Sequence, residues 1–470
     1  MPPTSSRTVS EPIVRRIVAF LDAGAILGAG VAAMHWDASS VDWHLAGLVV
    51  LLGTIVGINF LHLAGAYRFV SFARIDSAGS RVFLGWLSTF AALFVATRFF
   101  EPMTAADGPW LTAWFSAALA LMMICRSVLW YRMHQWAHDG RLGEVVAIVG
   151  AGAIAQHLLR DFTVRGSGIR IIGVYDDDAA QLPSRCMGRP IRGTIDDLVR
   201  DARQSHIDTV IVALPLAADR LLVDTLNKLC LLPVNVRLCP DAFGLRLGPV
   251  GVSHIAGHTF LNAMDRPLSD WRWIAKEIED RLLGAIILAL IGPLMLAITL
   301  LIKLDSPGPV FFRQKRYGFN NRLIEVWKFR TMYTDKTDEN ATQLTRRDDP
   351  RVTRLGAFLR RTSLDEIPQF INVVRGEMSI VGPRPHALAA KAGALLYQDA
   401  VKYYDARHRV KPGITGWAQV NGWRGETDTV EQIKKRVEYD LYYIEHWSLL
   451  LDLQIIVRTI LGGFTGQHAF

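Results

Sequence analysis

Leu282-Leu283-Gly284-Ala285-Ile286-Ile287-Leu288-Ala289-Leu290-Ile291-Gly292-Pro293-Leu294-Met295-Leu296-Ala297-Ile298-Thr299-Leu300-Leu301-Ile302 decides how this chain meets a membrane. The run is long enough to cross a bilayer, which takes about 20 apolar residues. Its flanks argue against a straight span. Arg272, Lys276 and Arg281 precede it, and Lys303, Arg313, Lys315, Arg316 and Arg322 follow it. Positive charge favours the cytoplasmic side, so both ends ask for the same face. Gly292-Pro293 sits at the middle, and proline there removes a helix hydrogen bond and bends the axis. The expectation is a re-entrant helix over 282–302, broken at Pro293, that enters one leaflet and returns.

Outward from this run the chain divides into parts of different character. Half of its 470 residues are hydrophobic, high for a soluble enzyme. Four more apolar runs fill the first 135 residues: Ile17–Trp36, Leu45–Tyr67, Val82–Phe99 and Leu111–Trp130. Arginines 7, 15, 16, 68, 74, 81, 132 and 141 lie at one set of ends. Asp37, Asp42, Glu101 and Asp107 lie at the other. This predicts a four-helix transmembrane bundle over 1–135 with both ends in the cytoplasm. The first run is long and lacks a small-residue cleavage site, so it reads as an anchor helix. Asp22, the acid inside a run, reads as structural and faces the bundle interior.

Residues 140–265 read as a small α/β domain. Glu144–Val149 reads as a buried strand, and Gly150-Ala151-Gly152-Ala153-Ile154-Ala155 opens a helix behind it. Further strands end at Asp176-Asp177-Asp178 and at Pro215. A G-x-G-x-x-A turn between strand and helix, with acids about 25 residues on, is the context of a dinucleotide site. Gly150, Gly152, Ala155 and Asp176 are the candidate nucleotide-binding residues. The same turn also serves helix–strand packing in domains that bind nothing. Cys125, Cys186, Cys230 and Cys239 show no paired or metal-ligand spacing and read as free thiols of a reducing compartment.

The last part, 266–470, holds the chemistry. The net charge is +8, and most of the excess lies beyond Lys303, which implies acidic partners. Asp365 and Glu366 follow Arg360 and Arg361 closely, and Val381-Gly382-Pro383-Arg384-Pro385 comes soon after. Ser363-x-x-Glu366 also fits a helix capping box, and Pro368 suits a helix start. The arginines suit an anion instead. A carboxylate is ionised at pH 7 and can attack phosphorus, provided a cation offsets the charge of the phosphate. Mg²⁺ takes one or two carboxylates beside substrate phosphates, so the adjacent acids can divide that work. Lys328, Arg330, Arg360 and Arg384 are candidate phosphate ligands. The Leu449–Leu461 run, interrupted by Asp452 and Arg458, reads as an amphipathic helix on the membrane surface.

Five ordered motifs carry a resemblance. They are Lys303–Gln314, Trp327-Lys328-Phe329-Arg330-Thr331-Met332, Ser363–Glu366, Val381–Pro385 and Lys411-Pro412-Gly413-Ile414-Thr415-Gly416-Trp417-Ala418-Gln419-Val420-Asn421-Gly422. Together they resemble the bacterial sugar transferases, the monotopic polyprenyl-phosphate phosphoglycosyl transferases. With the bundle and the Rossmann-like domain, the whole chain resembles the long form, the undecaprenyl-phosphate glucose or galactose phosphotransferases.

The resemblance implies a membrane protein of α plus α/β class, with a mainly helical catalytic domain held by the re-entrant helix. It implies transfer of a sugar 1-phosphate from a UDP-sugar to undecaprenyl phosphate with Mg²⁺, on the cytoplasmic face of the bacterial inner membrane. In it Asp365 attacks the sugar-side phosphorus, Glu366 holds the metal and Arg360 binds the lipid phosphate. Arg361, Lys328, Arg330, Arg384, Lys411 and Gln419 are its further substrate-binding candidates. The family often has Ser-Pro where this chain has Gly292-Pro293. Partners are substrate and membrane lipid with no nucleic acid, and a homodimer is left open. A membrane-bound nucleotide-sugar dehydratase or epimerase would need a Tyr-x-x-x-Lys pair, and no tyrosine has a lysine four residues on. A non-catalytic membrane scaffold or sensor would leave the acid pair and basic motifs without a purpose.

Overall fold

The computed structural model describes residues 11–36, 43–67, 75–100, 108–138, 144–164, 169–177, 185–215, 219–239, 251–255, 258–334, 349–386, 391–392, 395–423 and 429–463. The charged loop positions Arg7, Asp37, Asp42, Arg68, Arg74, Glu101, Asp107 and Arg141, and also Asp178, lie outside them. Residues 1–144 and 145–470 form two compact units.

In the first unit α1 (Glu11–Trp36), α2 (Trp43–Leu63), α3 (Ile75–Phe100) and α4 (Gly108–His138) pack around one core. Val18, Ile26, Val50, Leu61, Trp86 and Trp114 are buried in it, while many other large apolar side chains face outward. An inside-out distribution of this kind suits lipid. Trp114 donates its indole N–H to Ile26 O at 2.9 Å, so the large ring is buried without an orphaned donor. Asp22 is fully buried and takes Arg126 at 2.9 Å. The acid does face the bundle interior, and its role there is to pair a buried cation. Asp22→Leu would strand that cation and cost about 3–5 kcal/mol. Thermal denaturation in nanodiscs should show the loss, and adding Arg126→Leu should recover most of it.

The second unit begins with an eight-stranded sheet in the order β3-β4-β2-β1-β5-β6-β8-β7. Its centre is β1 (Val145–Val149), parallel to β2 (Arg170–Tyr175) and β5 (Thr209–Val212), with β6 (Asn235–Leu238) parallel beyond β5. The three strands expected from sequence are all present. The edges β3 (Arg185–Cys186), β4 (Arg189–Gly193), β7 (Val252–Ile255) and β8 (His258–Met264) are additions that lack a long apolar run. Helices α5 (Ala153–Val164), α6 (Ile195–Gln204) and α7 (Asp219–Leu229) complete the α/β layers. A capping box at Thr194 and Asp197 starts α6.

Helix α8 runs from Asp270 to Asp305 with Pro293 inside it. Among the described residues it is one of five helices long and apolar enough to cross a membrane. Its outer side exposes Leu282, Ile286, Leu290, Leu294, Leu296 and Leu300. Its inner side packs at both ends. Leu283 and Ile287 join the cluster around Val326, Val373 and Ile380. Ile298 and Ile302 join the cluster around Phe329 and Leu359.

Beyond α8 come the hairpin β9 (Phe311–Tyr317) and β10 (Leu323–Phe329), then α9 (Arg354–Arg361), α10 (Gln369–Val374) and β11 (Ser379–Val381). The strand Gly413–Thr415 pairs with β11, and α11 (Val430–Glu445) and α12 (Leu449–Gly463) follow. Helix α12 exposes Leu450, Leu453, Val457, Ile460 and Leu461, in keeping with a surface-lying apolar face. Asp452 does not interrupt that face toward water, as its polarity suggests. It is fully buried and accepts from Lys276 at 2.6 Å, Trp447 at 2.9 Å and Tyr443 at 2.8 Å. Lys276 also reaches Asp280, which in turn accepts from the Ser379 hydroxyl and the Ile380 N–H, each at 2.9 Å. Buried charge thus ties the membrane helix to the base of the Val381–Arg384 segment.

Candidate active site

Helix α9 ends at Arg361, so Arg360 and Arg361 occupy a last turn, where positive charge complements the helix dipole. Ser363 then turns the chain with φ 56°, and Leu364–Glu366 form a single 3-10 turn. The capping box expected at Ser363 is not made: the serine is left-handed and its hydroxyl caps nothing. Pro368 lies just before α10, where its missing N–H is harmless. The turn leaves Asp365 only 9% exposed.

The two acids are treated differently. Glu366 is clamped. Its Oε1 takes Lys328 Nζ at 2.8 Å and Arg384 NH2 at 2.6 Å, and its Oε2 takes Arg384 NH1 at 3.0 Å. Burial opposes its charge, yet Arg384 and Lys328 overcome that and hold its carboxyl well below the usual range. Asp365 has no hydrogen bond or ion pair among the described residues. Burial pushes its carboxyl up, the adjacent Glu366 adds to this, and Lys328, Arg360 and Arg384 oppose it. Asp365 is thus a buried carboxylate that the described residues leave without a hydrogen bond, among three cations.

Arg360 donates its Nε to the Thr331 hydroxyl at 2.9 Å. Among the described residues its other guanidinium nitrogens make no hydrogen bond, so they can take an anion beside Asp365. Arg361 is exposed. The other expected ligands are spent elsewhere. Arg330 donates to the carbonyls of Ser306 and Pro307, where it seals the end of α8. Gly308 there has φ +127°, and a Cβ would meet that guanidinium. Lys411 pairs with Glu277 of α8 at 2.6 Å. Gln419 buries its Oε1 without a partner among the described residues. Of the expected ligands, Lys328, Arg360 and Arg384 therefore gather at the acids, and Arg330 and Lys411 do not.

Further cations hold the backbone behind the acid pair. Arg407 donates to Asp440 at 2.6 Å and to the carbonyl of Arg384 at 2.9 Å. Arg316 donates to the carbonyl of Pro385. Arg436 lies 3.1 Å from His386 Nε2. Burial, with Arg384 nearby, brings Arg316 down to about 10. Asp440 had a sequence signal: it shares one helical face with Ile433, Val437 and Ile444, all buried. Arg407 and Arg316 had none.

Two histidines here are held neutral. Burial, with Arg407 and Arg203, brings His408 down to about 3, and burial with Arg407 and Arg436 takes His386 well below its usual range. Their contribution to stability is complete above the ordinary pKa of about 6.5 and is lost as pH falls toward the folded value. For His408 this amounts to about 2 kcal/mol at pH 5. The melting temperature should drop between pH 7.5 and 5, and the drop should be smaller in His408→Phe, which keeps the ring contacts with Tyr317 and Tyr404.

At the glycine turn of the α/β domain, Gly150 has φ +97°, and a Cβ would strike Ala213 O at 2.9 Å. Gly152 faces open space and Ala155 is buried in the core. Asp176 accepts the Ala151 N–H at 2.8 Å. The acid thus caps the turn itself, which is a packing role.

Comparison with known proteins gives the family. Residues 271–466 match the family described as bacterial sugar transferase, and residues 62–240 match the one described as a CoA-binding domain. The chain is 41% identical to the UDP-glucose:undecaprenyl-phosphate glucose-1-phosphate transferase of Escherichia coli K12, over 77% of this chain and 76% of that one. It is 41% identical to the undecaprenyl-phosphate glucose phosphotransferase of Komagataeibacter xylinus, over 76% and 66%. It is 38% identical to a Klebsiella pneumoniae protein of the same description as the first, over 76% of each chain. With a membrane-helix unit, an α/β domain and the clamped acid pair in one chain, this protein belongs to the bacterial sugar transferase family, among the long-form polyprenyl-phosphate sugar-phosphate transferases.

Proposed function

We propose that this enzyme moves glucose 1-phosphate from UDP-glucose to undecaprenyl phosphate and releases UMP. The carrying observation is the contrast between the two acids: Glu366 clamped by Lys328 and Arg384, Asp365 buried and unclaimed. The relatives' names supply the substrates. In the first step an Asp365 oxygen bonds to the sugar-bearing phosphorus, the bond to the UMP oxygen breaks, and UMP leaves with the electron pair. In the second, an oxygen of the lipid phosphate bonds to the same phosphorus and Asp365 departs as a carboxylate. Arg360 has guanidinium nitrogens to spare for the lipid phosphate. Lys328 and Arg384 lie within reach of the diphosphate charge that must build at this site.

The donor set fits Mg²⁺. The unclaimed Asp365 and the adjacent Glu366 supply the one or two carboxylates that Mg²⁺ takes beside phosphate and water. Glu366 would hold it, with Asp365 close by, and bound there it would neutralise the diphosphate.

The membrane geometry follows from α8. The helix is continuous from Asp270 to Asp305 with Pro293 near the middle of its apolar run, it exposes apolar side chains from Leu282 to Leu304, and it buries Leu283 and Ile287 in one cluster and Ile298 and Ile302 in another. With basic residues at both ends, this packing supports a helix that returns to the face it entered rather than one that crosses. The transferase domain then lies on the cytoplasmic face of the inner membrane, where UDP-sugars are made. Purified protein with UDP-glucose, undecaprenyl phosphate and Mg²⁺ should release UMP. Release of UDP instead would reject the mechanism, and a panel of UDP-sugars would name the donor.

A further inference from the structure

The α/β domain touches the transferase domain through a small set of specific contacts. The tip of the β9–β10 hairpin carries Asn320 and Asn321, both left-handed at φ 54° and 56°. Asn320 donates to Ala202 O at 2.8 Å, and Arg322 donates to Arg203 O at 3.0 Å and Gln204 O at 3.2 Å. These carbonyls are the end of α6, which has no helical partner for them. The hairpin thus caps a helix of the neighbouring domain. Asp405, in the turn Tyr404–Arg409, takes Arg203 at 2.8 Å and Asn321 at 2.7 Å. Tyr403 donates to Asn227 at 2.8 Å.

The two elements gripped in this way lead straight to the active site. Arg316 lies on β9 and holds the carbonyl of Pro385. Arg407 lies in the Tyr404–Arg409 turn and holds the carbonyl of Arg384. The backbone of Arg384 is thereby fixed from both sides, and its guanidinium is the bidentate partner of Glu366. The grip also uses the end of the α/β domain opposite its glycine turn. Helices α6 and α7 follow parallel strands, so their C-termini lie at the amino ends of the sheet, whereas Gly150 lies at a carboxyl end.

We infer that the α/β domain is a positioning brace for the transferase site: by holding the hairpin tip and the Tyr404–Arg409 turn it sets Arg316 and Arg407, and through them the Arg384–Glu366 pair. Arg203 and Asp405 are its positioning residues. The inference rests on the proposed reaction for its kinetic readout only. A misplacement of the acid pair by a fraction of an ångström impairs the chemistry more than the binding of substrate.

The test uses the full-length protein in nanodiscs. Arg203→Glu sets two carboxylates face to face at the grip. The expected result is a kcat lowered about tenfold to a hundredfold with the KM for UDP-glucose unchanged. Hydrogen exchange should quicken at residues 404–409 and 319–323. Arg203→Lys, which keeps a charge for Asp405, should retain most of kcat, and Arg200→Ala on the exposed side of the same helix should match the wild type. Should Arg203→Glu lower the melting temperature sharply, Tyr403→Phe removes a single contact and should show the same pattern in milder form. Wild-type kcat in both variants, or faster exchange with kcat unchanged, would overturn the brace. If the wild type itself released no UMP, the reaction would be misread, while unaltered exchange in the variants would still reject the brace.

Discussion

Asp365→Asn should lower turnover by at least about 10⁴-fold, the scale on which loss of a nucleophile is felt. The amide matches the carboxylate in size, so the 3-10 turn that presents it should persist. It removes the one property the mechanism uses, an anionic oxygen able to bond to phosphorus. Asp365 makes no hydrogen bond or ion pair among the described residues, so the substitution breaks no structural contact and the melting temperature should hold or rise. Binding of UDP-glucose should survive, and could tighten, because a negative charge facing the diphosphate is gone. Mass spectrometry of intact protein mixed with UDP-glucose alone should show a phosphosugar adduct in the wild type and none in the variant. A variant that turns over at even a hundredth of the wild-type rate would show that the attacking group is another residue.

Arg384→Ala should be the most damaging change around the acids. It removes both donors that Arg384 supplies to Glu366 and leaves Lys328 as the cation hydrogen-bonded, among the described residues, to a carboxylate that is only 14% exposed. Truncating one partner of a buried pair costs about 3–5 kcal/mol, and loss of a charge-stabilising donor at a reacting site lowers kcat by about 10²–10³-fold. Arg384→Lys restores a charge but not the two-pronged geometry, so it should recover stability better than rate. Thermal melting and UMP release, measured on the same preparation, separate the two effects. Equal recovery of both by lysine would mean that charge alone matters at this position.

The sequence disclosed the ends of this argument better than its middle. The glycine turn after β1 and the capping residues of α6 are local, and local chemistry is written in neighbouring residues. Asp365 and Glu366 stood out because two acids and two arginines within one short stretch have few purely structural uses. Why Arg330 takes partners away from the acid pair is not written in its neighbours: an arginine that seals a helix end and one that binds phosphate have the same composition around them. What separates them is which carbonyls the fold brings near, and Ser306 and Pro307 lie more than twenty residues away. Arg316 and Arg407 were silent because the carbonyls that hold them at the site, those of Pro385 and Arg384, are distant in the chain, and pairing at such range is a property of topology alone. The burial of Asp452 has the same origin. An acid in an amphipathic helix looks like its wet side until a buried lysine turns up opposite.

The Lys276–Asp452 pair joins residues 176 positions apart. A ribosome adding about 5–20 residues per second needs roughly 9–35 s to travel that distance. Through that interval Lys276 has only Glu279 and Asp280 of its own helix as carboxylate partners, and Asp452 does not yet exist. The buried cluster that ties α8 to the rest of the domain is therefore incomplete until synthesis is nearly over. Closure arrives last, when α12 emerges and brings Asp452 under the site. A truncation before Asp452 should leave a product that reaches the membrane on time and never matures there.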